Sequence, residues 1–232
     1  MARASNYMYA SQTGTLTLMP KTREMETAGT LINIQRFETA SSWLEADVMQ
    51  ELRYEWPEVV SIIKKLVSNA RLSGYDEEWI KEIASSTGWN ANDVVEDLRE
   101  MVSTDLSERI DKYRDLFNEY AKEAERHFNS GNYKQAGEKL YAAALALVKL
   151  YAAAKGVPII HWSRGKIERF ITNSMKEEHR NLFRDLLDKV QILHEHFYED
   201  ILDEQTFRER WKATLEILNK CREITLKENF QK

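Results

Sequence analysis

The chain of 232 residues carries 33 Lys and Arg against 38 Asp and Glu, a net charge of −5, and 43% of it is hydrophobic. That is enough apolar material for a packed core, whereas 8 glycines and 3 prolines are too few for a turn-rich β-sandwich or a low-complexity linker. The acidic excess lies in residues 51–104, so the composition argues against a broad basic surface for nucleic-acid phosphates. No apolar run approaches the roughly 18–20 residues of a membrane span, and the N-terminus lacks a secretory hydrophobic region. A single cysteine, Cys221, cannot close an intrachain disulfide. These features lead to the expectation of a cytoplasmic protein with no membrane contact, held together by its core.

Three regions follow in chain order. Residues 1–42 are rich in Thr, Ser, Met and Ala and have no helical period. Leu16 and Leu18 in Thr13–Met19, and Ile32 and Ile34 in Thr30–Phe37, alternate with polar residues as short β segments do. One reading is a disordered tail. The other is an extended arm, with Leu16, Leu18, Ile32, Ile34 and Arg36 meeting a partner or a sister subunit.

Residues 43–104 read as short helices. Trp43–Trp56 ends before Pro57, which suits the first position of the next helix. Val59, Ile62, Ile63, Leu66 and Val67 make its apolar stripe, which stops near Gly74. Asp76 is placed as the N-cap of Glu77–Ser86, and a further helix follows over Asn92–Val102.

Residues 105–226 read as long amphipathic helices joined by short turns. The first, about Ser107–Asn129, lines up Ile110, Tyr113, Phe117, Tyr120, Ala124 and Phe128, with Gly131 as the left-handed cap beyond it. Tyr133–Lys155 follows, its small residues letting a neighbour approach closely, and Gly156 and Pro158 stop it. Ser163 is placed as the cap of a shorter helix. Leu182, Leu186, Val190, Leu193 and Phe197 mark a long one, and Phe207, Trp211, Leu215 and Leu218 the last. Short links between long helices favour antiparallel neighbours. The fold class expected is therefore all-α, an up-and-down bundle preceded by short helices and an extended arm.

Several motifs bear on function. Glu82–Arg99 (EIASSTGWNANDVVEDLR) has helix-turn-helix spacing. Its second helix, however, presents Asp93, Glu96, Asp97 and Glu100 against one Arg99, a face that repels DNA phosphates. A structural hairpin is the better account, and sequence-specific DNA binding is disfavoured. Gly131–Ala143 resembles half of a tetratricopeptide repeat, but without the recurrence that a solenoid needs.

His194 and His196 stand two apart on a helix and so point in different directions, a poor metal pair. His194 is placed at the core boundary near Tyr198, and His196 in solvent. Cys221 is read as a buried structural thiol. No phosphate loop, dinucleotide fingerprint or nucleophile elbow occurs, and no cofactor is expected. Lys176, Arg180 and Arg184 are spaced four apart with His179 beside them and Arg164 upstream. This stripe is either an ordinary solvated face or a phosphate- or RNA-binding one.

Two stretches, Gly131–Val157 (GNYKQAGEKLYAAALALVKLYAAAKGV) and Leu193–Asp200 (LHEHFYED), together resemble the archaeal PaREP family of small helical proteins, over roughly Glu77 to Ile224. Tyr141, Gly137 and His196 stand where that pattern commonly has Trp, Ser and Asn, departures expected to be tolerated in packing positions. The resemblance implies an archaeal cytoplasmic bundle, similar in layout to HEPN domains, that pairs through its helices as a homodimer.

Many HEPN proteins are ribonucleases with an Arg followed four to six residues later by His. That spacing is absent here, so such chemistry is disfavoured. The function expected is a non-catalytic binding protein whose arm docks a macromolecular partner, RNA or a ribonucleoprotein such as the ribosome. The alternatives are an RNA- or nucleotide-acting enzyme with a nonstandard site at His179, Arg180 and Arg184, and an antitoxin-like protein partner.

Overall fold

The computed structural model describes residues 56–100, 106–155 and 164–230. The arm with Leu16, Leu18, Ile32, Ile34 and Arg36, the expected Trp43–Trp56 helix, and Gly156, Pro158 and Ser163 as terminators or caps lie outside the described residues, except that Trp56 itself is described. Eight α-helices and no strands occur among the described residues: α1 Pro57–Val67, α2 Gly74–Thr87, α3 Ala91–Glu100, α4 Leu106–Asn129, α5 Tyr133–Ala154, α6 Arg164–Ser174, α7 Glu177–Glu199 and α8 Glu204–Phe230.

Each boundary has a local cause. Pro57 opens α1, where a missing N–H costs nothing. At α2 the cap is Ser73 rather than Asp76. The Ser73 side chain accepts the Asp76 amide and the Asp76 carboxylate accepts the Ser73 amide at 2.7 Å, a capping box that starts the helix three residues earlier than expected. Lys65 of α1 donates to both Asp76 oxygens, at 2.6 and 2.9 Å. Gly88 ends α2 in the left-handed conformation, φ 68°. Asn132 caps α5 through the Gln135 amide, and Gly131, at φ 75°, makes the turn from α4.

With Lys65 and Ser73 both stabilising the charged form, the Asp76 carboxyl is held down at about 2. Its contribution to stability is complete above about pH 4, its ordinary value, and is lost as pH falls towards 2. Thermal midpoints measured across that range should therefore fall further for the parent than for Asp76→Asn.

The core is organised around α5. From Ala136 to Ala154 it is buried on all sides except for Lys139, which is the pattern of a helix enclosed by others rather than lying on a surface. It packs against α4, α7 and α8, and more lightly against α2 and α6. Tyr113, Phe117, Tyr120 and Ala124 cover it from α4, and Phe183, Leu186, Val190 and Leu193 from α7. Phe207, Trp211, Leu215 and Leu218 supply the buried stripe of α8.

Gly137 is more than a tolerated departure. A Cβ there would stand 2.3 Å from the Leu193 carbonyl oxygen, so α5 and α7 touch backbone to backbone at this point. The α2–α3 hairpin packs onto α5: Val94 and Leu98 of α3 are fully buried, and the Trp89 indole donates to the Ala142 carbonyl of α5 at 3.1 Å.

Candidate functional site

Three polar centres lie inside or beside this core, each joining different helices. The first is Asp97 with Lys149, side chains 0% and 2% exposed. Lys149 donates to Asp97 Oδ2, and the Tyr113 hydroxyl donates to Oδ1 at 2.7 Å. The ammonium also stands over the Trp89 and Tyr113 rings, 5.4 and 5.5 Å from their centroids. Burial draws the Lys149 ammonium down to about 8 against the pull of Asp97.

The second centre is Glu138 of α5 with His194 of α7. Glu138 Oε2 accepts from His194 Nδ1 at 2.5 Å. The imidazole stacks on Tyr141, centroids 4.1 Å apart, and meets the edge of Tyr198. The Tyr198 hydroxyl donates to the Ser85 carbonyl of α2 at 2.9 Å. Gly88 crowds the same place: a Cβ on it would lie 2.9 Å from the Glu138 carbonyl oxygen. A carboxylate on Nδ1 fixes that nitrogen as a donor. The pair thus orients an imidazole while bonding α5 to α7.

Glu138, Ala142 and Lys149 fall on one face of α5 over about three turns, and each meets the α2–α3 hairpin, at Gly88, Trp89 and Asp97. Sequence reading passes over Glu138 and Lys149, because nothing local shows that these two charges turn inward. Their helical register, with Ala142 and Leu145 between them, was the signal for a shared face.

The third centre is Glu228 at the end of α8, held by Lys155 and Lys176. Burial works to raise its carboxyl, but the two lysines outweigh it and the group is held below its ordinary value.

The basic stripe does not act as one unit: Lys176 joins the third centre, while Arg164 and Arg184 meet carboxylates of α6 and α7. Arg164 donates from Nη2 to Asp188 at 2.5 Å and from Nε to Glu168 at 3.1 Å. Arg184 reaches the other Glu168 oxygen at 3.2 Å and Thr172 at 2.8 Å. Arg164 and Arg184 are therefore brought together through a shared carboxylate. Lys176 instead turns to Glu228 at 2.6 Å, and Arg180 donates to the Met175 carbonyl at 3.1 Å. His179 bonds the Tyr151 hydroxyl through Nδ1 at 3.1 Å.

His196 requires a correction. It is 4% exposed, not solvated. Its Nδ1 accepts the Leu202 amide at 3.1 Å and Phe207 packs beside it, 5.3 Å between centroids, because the chain reverses at Asp200 and brings α8 back over this side of α7. Burial depresses its imidazole. Cys221 is fully buried and burial pushes its thiol up, as suits a packing residue. Among the described residues no group of three or more His, Cys, Asp or Glu is placed to hold a metal ion, and no helix is long and apolar enough to cross a membrane.

Among the described residues the protein is thus all-helical, and its buried ionisable groups bridge one helix to another. Residues 112–218 match the model of the Archaeal PaREP1/PaREP8 family. The resemblance read from the sequence is found, within narrower bounds, and its two stretches meet in space at Gly137–Leu193 and Glu138–His194. No curated protein and no solved structure matches the chain.

Proposed function

We propose that this protein works by binding, as a self-associating helical module that captures a macromolecular partner, and not by bond chemistry. The observation that supports this reading is the use made of interior ionisable groups. Asp97 with Lys149, Glu138 with His194, and Glu228 with Lys155 and Lys176 each join one helix to another, and groups used this way fix a scaffold. A HEPN-like up-and-down layout, a homodimer and a cytoplasmic location belong to the same reading, with RNA or a ribonucleoprotein as the partner class. Arg164, Lys176 and Arg184 already hold carboxylates, so RNA phosphate at the stripe would have to displace Glu168, Asp188 or Glu228. The arm, with Leu16, Leu18, Ile32, Ile34 and Arg36, is the better candidate for first contact.

Deleting residues 1–42 is expected to leave the thermal midpoint unchanged and to abolish capture of the partner in pull-downs from native lysate. Capture that survives the deletion removes the arm from the proposal. A nuclease assay on the parent and on Arg180→Ala addresses the enzymatic alternative. RNA cleavage by the parent that disappears with that single change would replace the binding reading.

A further inference from the structure

The last turn of α8 carries a carboxylate into a cationic corner built by two other helices. Glu228, 6% exposed, gives one oxygen to Lys155, the C-cap residue of α5, and the other to Lys176, the N-cap residue of α7, at 2.6 Å. The Lys155 ammonium lies 5.8 Å over the Tyr151 ring, and the Tyr151 hydroxyl stands 3.1 Å from His179 Nδ1. A phenol and an imidazole therefore border the two lysines. Two ammonium groups share this one carboxylate at close range, and Glu178 adds its field to Lys176 from further off. The exposed Glu178 side chain itself approaches the other ring nitrogen of His179, at 3.3 Å.

We infer that this corner is a binding site for a phosphate dianion, free or as a phosphomonoester, and that Glu228 occupies it as a tethered surrogate. A phosphate brings the second negative charge that balances Lys155 and Lys176. Its further oxygens accept from both ammonium groups, in charge-assisted hydrogen bonds shorter and stronger than neutral ones. The surrogate is placed where it can leave. Helix ends open at far lower cost than helix interiors, and α8 is anchored upstream by Phe207, Trp211, Leu215 and Leu218, all buried. The inference is independent of the arm and of any RNA partner.

The test is calorimetric titration of the full-length chain with inorganic phosphate, with adenosine monophosphate and with adenosine. Glu228→Gln keeps the side-chain shape and removes the competing charge, so it should bind phosphate at least about tenfold more tightly than the parent. Adding Lys155→Met to that variant should abolish the gain, and adenosine should give no heat. Adenosine monophosphate binding more tightly than phosphate assigns the site to a monoester, and equal binding assigns it to the free ion. A folded Glu228→Gln chain that binds phosphate no better than the parent overturns the inference. Should that variant not fold, the parent's thermal midpoint decides. It should rise in phosphate over chloride at equal ionic strength, and the rise should vanish in Lys155→Met; no difference between the two salts overturns the site.

Discussion

Asp97→Ala is expected to lower the unfolding free energy by about 3–5 kcal/mol, the cost of leaving a buried charge without its partner. For a chain of this size that is a fall in thermal midpoint on the order of 10 °C. The cause is Lys149, whose ammonium is enclosed by α3, α4 and α5 and is compensated by the Asp97 carboxylate with the Trp89 and Tyr113 rings above it. The pair itself need not be a large net gain, because withdrawing two charges from water costs nearly as much as their attraction returns. That yields a second, sharper expectation. Asp97→Leu combined with Lys149→Met should recover most of the lost stability, since no unpaired charge remains. Chemical denaturation of the parent, the single variant and the double variant checks both, and a double variant no better than Asp97→Ala would mean that shape, not charge, governs the site.

Gly137→Ala should destabilise by about 2–3 kcal/mol, at the upper end of what overpacking a tight interior costs. Two effects oppose each other here. Alanine is the better helix former by about 1 kcal/mol, but its Cβ would stand 2.3 Å from the Leu193 carbonyl oxygen. That neighbour is backbone and cannot rotate aside, so α5 and α7 must separate and the clash wins. Gly165 provides the contrast within the same chain: nothing lies within 4 Å of a Cβ built there, so Gly165→Ala should be neutral or stabilising. Thermal melts of the two variants side by side distinguish a close helix contact from a general intolerance of substitution. A Gly137→Ala chain as stable as the parent would rule out the backbone contact.

Much of this architecture was legible from the sequence. Pro57 and Gly131 mark their helix boundaries by backbone chemistry that acts within a few residues, and the apolar stripes of α4, α7 and α8 follow helical period. The errors arose where the deciding contact is distant. Asp76 looked like a cap because it is acidic and precedes a helix, whereas Ser73 three residues earlier completes the box and Lys65 on another helix holds the carboxylate. His196 was put in solvent by counting around α7 alone, and only the return of α8 covers it. The Glu138–His194 pair joins the two stretches that together carry the family resemblance, but no local rule says that they touch. Of the stripe Lys176, Arg180 and Arg184, only the two arginines lie on α7, and Lys176 is its N-cap residue with non-helical ψ of 138°. The acidic partners of the stripe come from α6 and α8, which spacing along α7 does not reveal.

The enclosure of α5 has a consequence for synthesis. This apolar rod leaves the ribosome with α2, α3 and α4 already made, whereas the helices that cover its opposite flank, α7 and α8, follow many residues later. For that interval Gly137, Leu140 and Tyr151 have no lid. A nascent chain halted within α6 should therefore recruit chaperones or clump, while one from which α7 and α8 have also emerged should do so less.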